Sequence, residues 1–280
     1  MTRKGFLSLD RSKALEKLID IAKWNIENTK NHILYCQSSG IDGYRISSSI
    51  LPLVSDPMIS IDINQVFGLC SEEIDELKKV VYETPVKLSI HPSHFQTLVS
   101  NNPQAIINTA VELNAYGKFL NLIGCDEDHS CPINIHINTM VSTPEYTKKI
   151  FMENFNRLDN SVKSRLVLEN NDKPNTFWNV ENLLNYFGDH FPITFDNLHS
   201  SVFPSSSLSQ EQEFFACVQT WSNYTPHFHF SCGTQENKRA HSEFANQKLP
   251  SFNYDGIIYW DFELKQKDRA IELYKATYEN

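Results

Sequence analysis

Residues 165–199 read RLVLENNDKPNTFWNVENLLNYFGDHFPITFDNLH. Arg165-Leu-Val-Leu-Glu-Asn170 is a short β-rich run that ends on an acid. Trp178 to Phe187 reads as a helix, and Ile193-Thr-Phe-Asp196 is a second strand that ends on an acid. Two strands joined through a helix pair in parallel, because only a hairpin can return the chain directly. The stretch is therefore a βαβ unit, and the fold class is α/β.

The same alternation extends in both directions. Toward the N-terminus, Leu15, Leu18, Ile19, Ala22 and Ile26 keep helical spacing between Asp10, a candidate N-cap, and Gly40, a candidate stop. Gly43–Ser48, Val86–His91 and Ile133–Asn138 read as strands. Helices are expected from Ser71, from Asn102-Pro103 to about Leu122, and from Thr143-Pro144, with proline at the tolerated first position. Toward the C-terminus, His227–Ser231 and Gly256–Glu263 read as strands, with helices at Glu211–Trp221 and from about Gln266.

Seven βα units result, one short of a closed (β/α)8 barrel. Gly5-Phe-Leu-Ser-Leu9 is the candidate for the missing strand. The expectation is a TIM-barrel-like scaffold, its first strand missing or incomplete, in a single domain over residues 1–280.

In a parallel barrel the C-terminal strand ends meet at one rim, where loops build the active site. Metal-type ligands fall at those ends: His91, His136, Glu169, Asp196 with His199, His227 with His229, His241 in the following loop, and Glu263. Imidazole nitrogens and carboxylate oxygens suit zinc, manganese and iron. Six histidines and three carboxylates exceed the needs of one ion. Two or three ions with bridging carboxylates fit better, and such a cluster can activate water and clamp both oxygens of a phosphodiester displacement. His32, His129 and His190 lie on helices or in polar loops and read as solvent-exposed.

With 280 residues, 40% hydrophobic and 21% charged, the chain has the makings of a packed globular core. No apolar run approaches the roughly 20 residues that span a bilayer. MTRKGFLSLDRSK has no apolar run long enough for a signal peptide, so a cytoplasmic, nucleoid-associated monomer is expected. Cys36, Cys70, Cys125, Cys131, Cys217 and Cys232 form no CxxC and read as idle thiols. A net charge of −9 argues against a nucleic-acid partner. Two or three bound divalent cations answer that objection by adding roughly +4 to +6 where a phosphate must sit.

The ordered motifs carry a resemblance. Gly43-Tyr-Arg-Ile-Ser-Ser48, His91-Pro-Ser-His-Phe95, Asn134-Ile-His136, Leu166-Val-Leu-Glu-Asn170, Phe195-Asp-Asn-Leu-His199, Pro226-His-Phe-His-Phe-Ser231, His241-Ser242 and Glu263-Leu-Lys-Gln-Lys-Asp268 resemble the UV damage endonucleases from about residue 10 to 275. The resemblance implies a TIM barrel related to endonuclease IV and the sugar isomerases. It implies a divalent metal cluster, usually Mn2+ with Zn2+ as an alternative, and incision of damaged double-stranded DNA 5′ to UV photoproducts. Carried over by residue, the ligands are His91, His136, Glu169, Asp196, His199, His229, His241 and Glu263.

Three departures accompany it. His227 stands where the family has a lysine, often carboxylated, and either replaces it as a direct ligand or leaves the metals held differently. His94 and Phe95 stand where the family places a glutamine and an aromatic that probe the lesion. Phe95 keeps the aromatic wedge, and insertion of an apolar side chain holds a distorted duplex. The family's first strand and N-terminal lesion contacts have no counterpart. Catalysis is expected from Glu169, Glu263 and Lys265, with Lys265 and Lys267 available to DNA phosphates. Arg45 is expected to be structural and Tyr44 to lie in the core. The rival readings are a xylose-isomerase-like sugar enzyme and an impaired homologue that binds damaged DNA without cutting it.

Overall fold

The computed structural model describes residues 1–250 and 252–279. The chain divides into two compact units, Met1–Ile133 with Phe151–Leu166, and Asn134–Ile150 with Val167–Asn280.

In the first unit, helix α1 (Arg3–Leu7) precedes the long α2 (Arg11–Ser38). Ala14, Leu18, Ala22, Ile26 and Ile33 of α2 are buried at helical spacing, which packs one stripe inward. Gly40 follows at φ +64°, the left-handed conformation that ends helices. β1 (Gly43–Ile46) then pairs in parallel with β2 (Lys87–Ile90). Between them lie α3 (Ile63–Leu69) and α4 (Ser71–Glu83). α5 (Pro103–Leu122) starts at Asn102, whose side chain accepts from the Gln104 amide at 3.0 Å. β3 (Ile133–His136) begins beside β2, with Ile90 opposite Ile133. The N–H of Ile133 donates to the carbonyl of Arg165 at 2.9 Å, so β4 (Leu166–Glu169) starts beside β3. α6 (Pro144–Phe155) and α7 (Asn160–Lys163) connect those two strands. Arg165 is fully buried, its guanidinium donating to the carbonyls of Cys125, Asp126 and Ser161 at 2.7–2.9 Å, which satisfies its charge.

In the second unit β4 pairs in parallel with β5 (Ile193–Thr194) across α8 (Val180–Phe187). The next pairing runs through Asp196 and His229, where His229 N–H donates to Phe195 O at 3.0 Å. β6 (His227–Phe230) follows α9 (Asn197–Val202) and α10 (Gln210–Thr220) and pairs in parallel with β7 (Tyr259–Phe262). α11 (Asp268–Tyr278) ends the described chain. Strand alternation gives β6 two faces. Phe228 and Phe230 enter an aromatic core with Phe214, Trp260, Phe262 and Tyr274, leaving His227 and His229 on the other face.

The seven expected strands are present among the described residues, each shorter than the sequence suggests. The eighth is corrected: residues 3–7 form a helix, because Thr2 caps it by accepting from Gly5 N–H at 3.1 Å and Phe6 buries on it. The helix expected from Trp178 starts at Val180, since a short 3-10 turn over Pro174–Thr176 leads into a left-handed Phe177. His129 is half-buried rather than exposed, and burial lowers its pKa. The six cysteines, five of them buried, form no disulfide among the described residues. No helix among the described residues is long and apolar enough to cross a membrane.

Candidate metal centre

The second unit builds its polar centre at the C-terminal ends of its strands. Glu169 closes β4 and is 1% exposed. Its Oε1 lies 3.2 Å from His229 Nδ1 and 3.3 Å from His199 Nδ1. Its Oε2 lies 3.5 Å from His136 Nε2 and accepts from the side-chain amide of Asn134. Three imidazoles therefore converge on one carboxylate.

Asp196 is fully buried just past the two-residue β5. Its Oδ1 accepts from His199 N–H at 2.6 Å and caps α9, which fixes His199 one turn along. Its Oδ2 is buried and has no hydrogen-bond partner. A carboxylate oxygen left so carries a desolvation penalty that a bound cation removes. Ligand atoms of Glu169, Asp196 and His229 all lie within 4.8 Å of one another, a spacing that suits one ion.

Glu263 follows β7 and extends the cluster. Its Oε1 is 3.3 Å from His229 Nδ1 and its Oε2 is 3.6 Å from His241 Nδ1. His241 is held by an antiparallel bridge to Gly233. The loop between them is tied down by Arg239, whose Nε donates to Asp172 at 2.7 Å. Asn170 fastens the base of the site. It bonds the Asp196 backbone in both directions at 2.8 and 3.1 Å, and its carbonyl lies 2.9 Å from His199 Nδ1.

The electrostatics fit this geometry. Burial works against the charge on Glu169, yet the His136 and His229 cations and hydrogen bonds from His199 and His229 hold its carboxyl well below the usual range. Burial pushes Asp196 up, and Glu169 and Glu263 add to that against His199 and His229. Burial disfavours the His199 cation, but Asp196 and Glu169 hold its pKa well above the ordinary value. The raised pKa of His199 reflects the negative field of Asp196 and Glu169, a field that would equally favour a divalent cation.

Of the other expected residues, His91 follows β2 in the first unit, half-buried, with Nδ1 2.9 Å from the carbonyl of Pro92. His227 is buried with its ring stacked on Trp221 at 5.8 Å and tilted against Tyr259 at 5.1 Å. Lys265 is exposed. His94 and Phe95 are exposed side by side, ring centroids 4.1 Å apart, on a turn closed by Gln96 N–H donating to Ser93 O at 2.8 Å. Two polar members go beyond the sequence reading: Asn134, and Asp261, whose Oδ2 is 3.8 Å from His229 Nε2. Each lies two residues before an expected ligand, so period-two alternation is the signal that identifies them.

The chain matches the family described as UV-endonuclease UvdE over residues 2–279. It is 30% identical over 284 residues to the UV DNA damage endonuclease of Bacillus cereus strain B4264, spanning 97% of this chain and 86% of that protein. The protein of the same name from Bacillus thuringiensis subsp. konkukian strain 97-27 is also 30% identical with the same coverage. Among solved structures, SacUVDE is similar with a TM-score of 0.74 at 22% identity, over 93% of this chain and 89% of that one. Endonuclease IV from Thermus thermophilus is similar with a TM-score of 0.60 at 14% identity, over 88% and 93%. At such identities these two structures speak for the fold, an α/β TIM-barrel-like scaffold. The family match over nearly the whole sequence is the stronger finding, and on it the chain belongs to the UV-endonuclease UvdE family.

Proposed function

We propose that this chain is a DNA repair endonuclease that hydrolyses a backbone phosphodiester of duplex DNA 5′ to UV photoproducts, using two or three divalent cations, Mn2+ first among them. The observation that carries the reading is the convergence of buried Glu169, Asp196 and His229, with an Asp196 oxygen lacking any hydrogen bond. Nitrogen and carboxylate donors in this mixture suit manganese or zinc.

His136, Glu169, Asp196, His199, His229, His241 and Glu263 are the proposed ligands, and His91 joins them through the family resemblance. When bound, the ions would supply Lewis acidity at the phosphate and lower the pKa of water. The chain's own contribution is orientation. Asn134 holds one oxygen of Glu169, Asp196 fixes the start of α9 and with it His199, and Asn170 locks the Asp196 backbone. His227 stands apart in this proposal, because its ring packs between Trp221 and Tyr259. Lys265 and Lys267 are exposed just after Glu263 and are proposed as phosphate contacts. Phe95 is proposed as the wedge that tests the duplex for unstacking.

The test is incision of a duplex with one defined photoproduct, in Mn2+, beside the same duplex undamaged. The expected result is a single cut on the 5′ side of the lesion. Binding without cutting at every metal tried would indicate an impaired homologue, and turnover of sugar phosphates without nicking would indicate a sugar enzyme. Either result overturns the proposal.

A further inference from the structure

The turn that exposes Phe95 is held from an unexpected place. Helix α5 presents Thr109, Glu112 and Tyr116, at spacings that put them on one helix face. Thr109 Oγ1 accepts from the backbone N–H of Thr97 at 3.0 Å. Glu112 Oε2 accepts from the side-chain amide of Gln96 at 2.7 Å and from the hydroxyl of Ser55 at 2.6 Å. Its Oε1 lies 2.7 Å from the phenol oxygen of Tyr116, which lies 2.6 Å from the carbonyl of Ser48. One half-buried carboxylate thus ties together the loop after β1, the loop after β2 and α5. Gln96 is the residue that closes the turn carrying His94 and Phe95, and Phe95 is 77% exposed.

An exposed aromatic on a free loop would spend binding energy on ordering itself. The grip of Glu112 on the Gln96 side chain lowers that cost, beside the bond from Thr97 N–H to Thr109. We propose that Glu112 is a positioning residue that fixes the Ser93–Gln96 turn, so that Phe95 meets damaged DNA already oriented. This rests on the endonuclease reading above, in which Phe95 contacts the lesion.

The chemistry picks the informative variants. The Tyr116 phenol has one proton for two acceptors, Ser48 O and Glu112 Oε1. A glutamine at 112 satisfies every partner. Its carbonyl accepts from Gln96 and Ser55, its amide donates to the phenol oxygen, and the phenol proton goes to Ser48. Glu112→Gln should therefore behave as wild type, whereas Glu112→Ala releases the turn.

The experiment joins hydrogen exchange with steady-state incision of a photoproduct duplex in Mn2+. Glu112→Ala should speed amide exchange at Gln96 and Thr97. It should raise KM about tenfold, the worth of hydrogen bonds to a charged group, with kcat within about twofold. Gln96→Ala, which cuts the same tie from the loop side without touching α5, should move both readouts the same way and guards against a folding defect. Unchanged exchange in Glu112→Ala and Gln96→Ala overturns the proposal, as does a Glu112→Gln protein as impaired as Glu112→Ala, or a fall in kcat at constant KM. If the wild type fails to incise, the endonuclease reading falls, while exchange still reports whether Glu112 holds the turn.

Discussion

Glu169 Oε1 and His229 Nδ1 stand 3.2 Å apart with both side chains almost wholly buried, one at the end of β4 and the other on β6. A buried acid with three imidazoles around it is a ligand arrangement that core packing does not require. Glu169→Gln keeps the shape and the bond from Asn134 but removes the charge. Loss of a group that holds a metal site typically costs 10–100-fold, so incision should fall by about a hundredfold while far-UV dichroism stays unchanged. Equal incision by the two proteins would remove Glu169 from the chemistry.

Metal removal should show in stability as well as in activity. A ligand that binds only the folded state stabilises it by about 2.7 kcal/mol at a hundredfold excess over Kd. For a chain of this size that corresponds to a rise in Tm of about 5 °C. Chelation should lower Tm by that amount, and Mn2+ should restore it. Because binding must expel protons from imidazoles, the gain should be larger at pH 8 than at pH 6. A Tm indifferent to Mn2+ and Zn2+ would contradict the proposed centre.

The Arg239–Asp172 pair should tune the site through His241. Arg239 is 44% exposed, so the pair is worth less than about 1 kcal/mol. Arg239→Ala should weaken Mn2+ binding about two- to fivefold by loosening the loop that carries His241. Burial works to raise the pKa of Asp172, but the Arg239 hydrogen bond and the neighbouring positive charges hold it below 3.8. A depressed carboxylate contributes stability above its unfolded pKa and loses it as the pH falls through the folded one. The wild-type loop should therefore gain exchange protection lost to Arg239→Ala at neutral pH, and the difference should vanish as the pH drops below 3.8. A difference that persists in acid would show that the pair is not what anchors the loop.

Much of this was legible in the sequence because two periodicities do separate work. Helical spacing marked α2, Asn102-Pro103 marked the start of α5, and acids and histidines at the ends of short apolar runs marked His136, Glu169 and Glu263. The N-terminus was not legible. Gly5-Phe-Leu-Ser-Leu9 alternates like a strand, and only the Thr2 cap makes residues 3–7 helical. Asp196 was found as a strand-end acid, yet its strand stops at Thr194 and its position comes from capping α9. Asn134 and Asp261 went unread because amides and acids inside strands are usually solvated, although alternation puts them on the same strand faces as His136 and Glu263. The Glu112 tie has no sequence signature at all, since Ser55, Gln96 and Glu112 lie far apart along the chain.

Phe95→Ala should separate recognition from folding. The side chain is 77% exposed, so its removal should leave stability within about 0.5 kcal/mol. Stacking an aromatic on a base is worth about 1–3 kcal/mol, so affinity for a photoproduct duplex should drop roughly 10- to 100-fold. Undamaged duplex, whose bases remain stacked, should bind both proteins alike. An equal loss on both duplexes would mean that Phe95 contacts DNA without sensing damage.

The expected ligand role of His227 can be tested through its packing. Its ring is stacked on Trp221 with the planes 21° apart and is tilted against Tyr259, and it is 6% exposed. A ring held between two aromatics has little freedom to turn toward ions without giving up that packing, worth about 0.5–1.5 kcal/mol per pair. His227→Phe preserves the stack and removes both nitrogens. It should bind the same number of Mn2+ ions as wild type, with affinity changed by less than the roughly 10-fold that loss of even a supporting partner of a ligand costs. His227→Ala, which empties the stack, should instead lower Tm by opening a cavity in the core. Loss of one ion from His227→Phe, measured by metal analysis after dialysis, would return His227 to the ligand set.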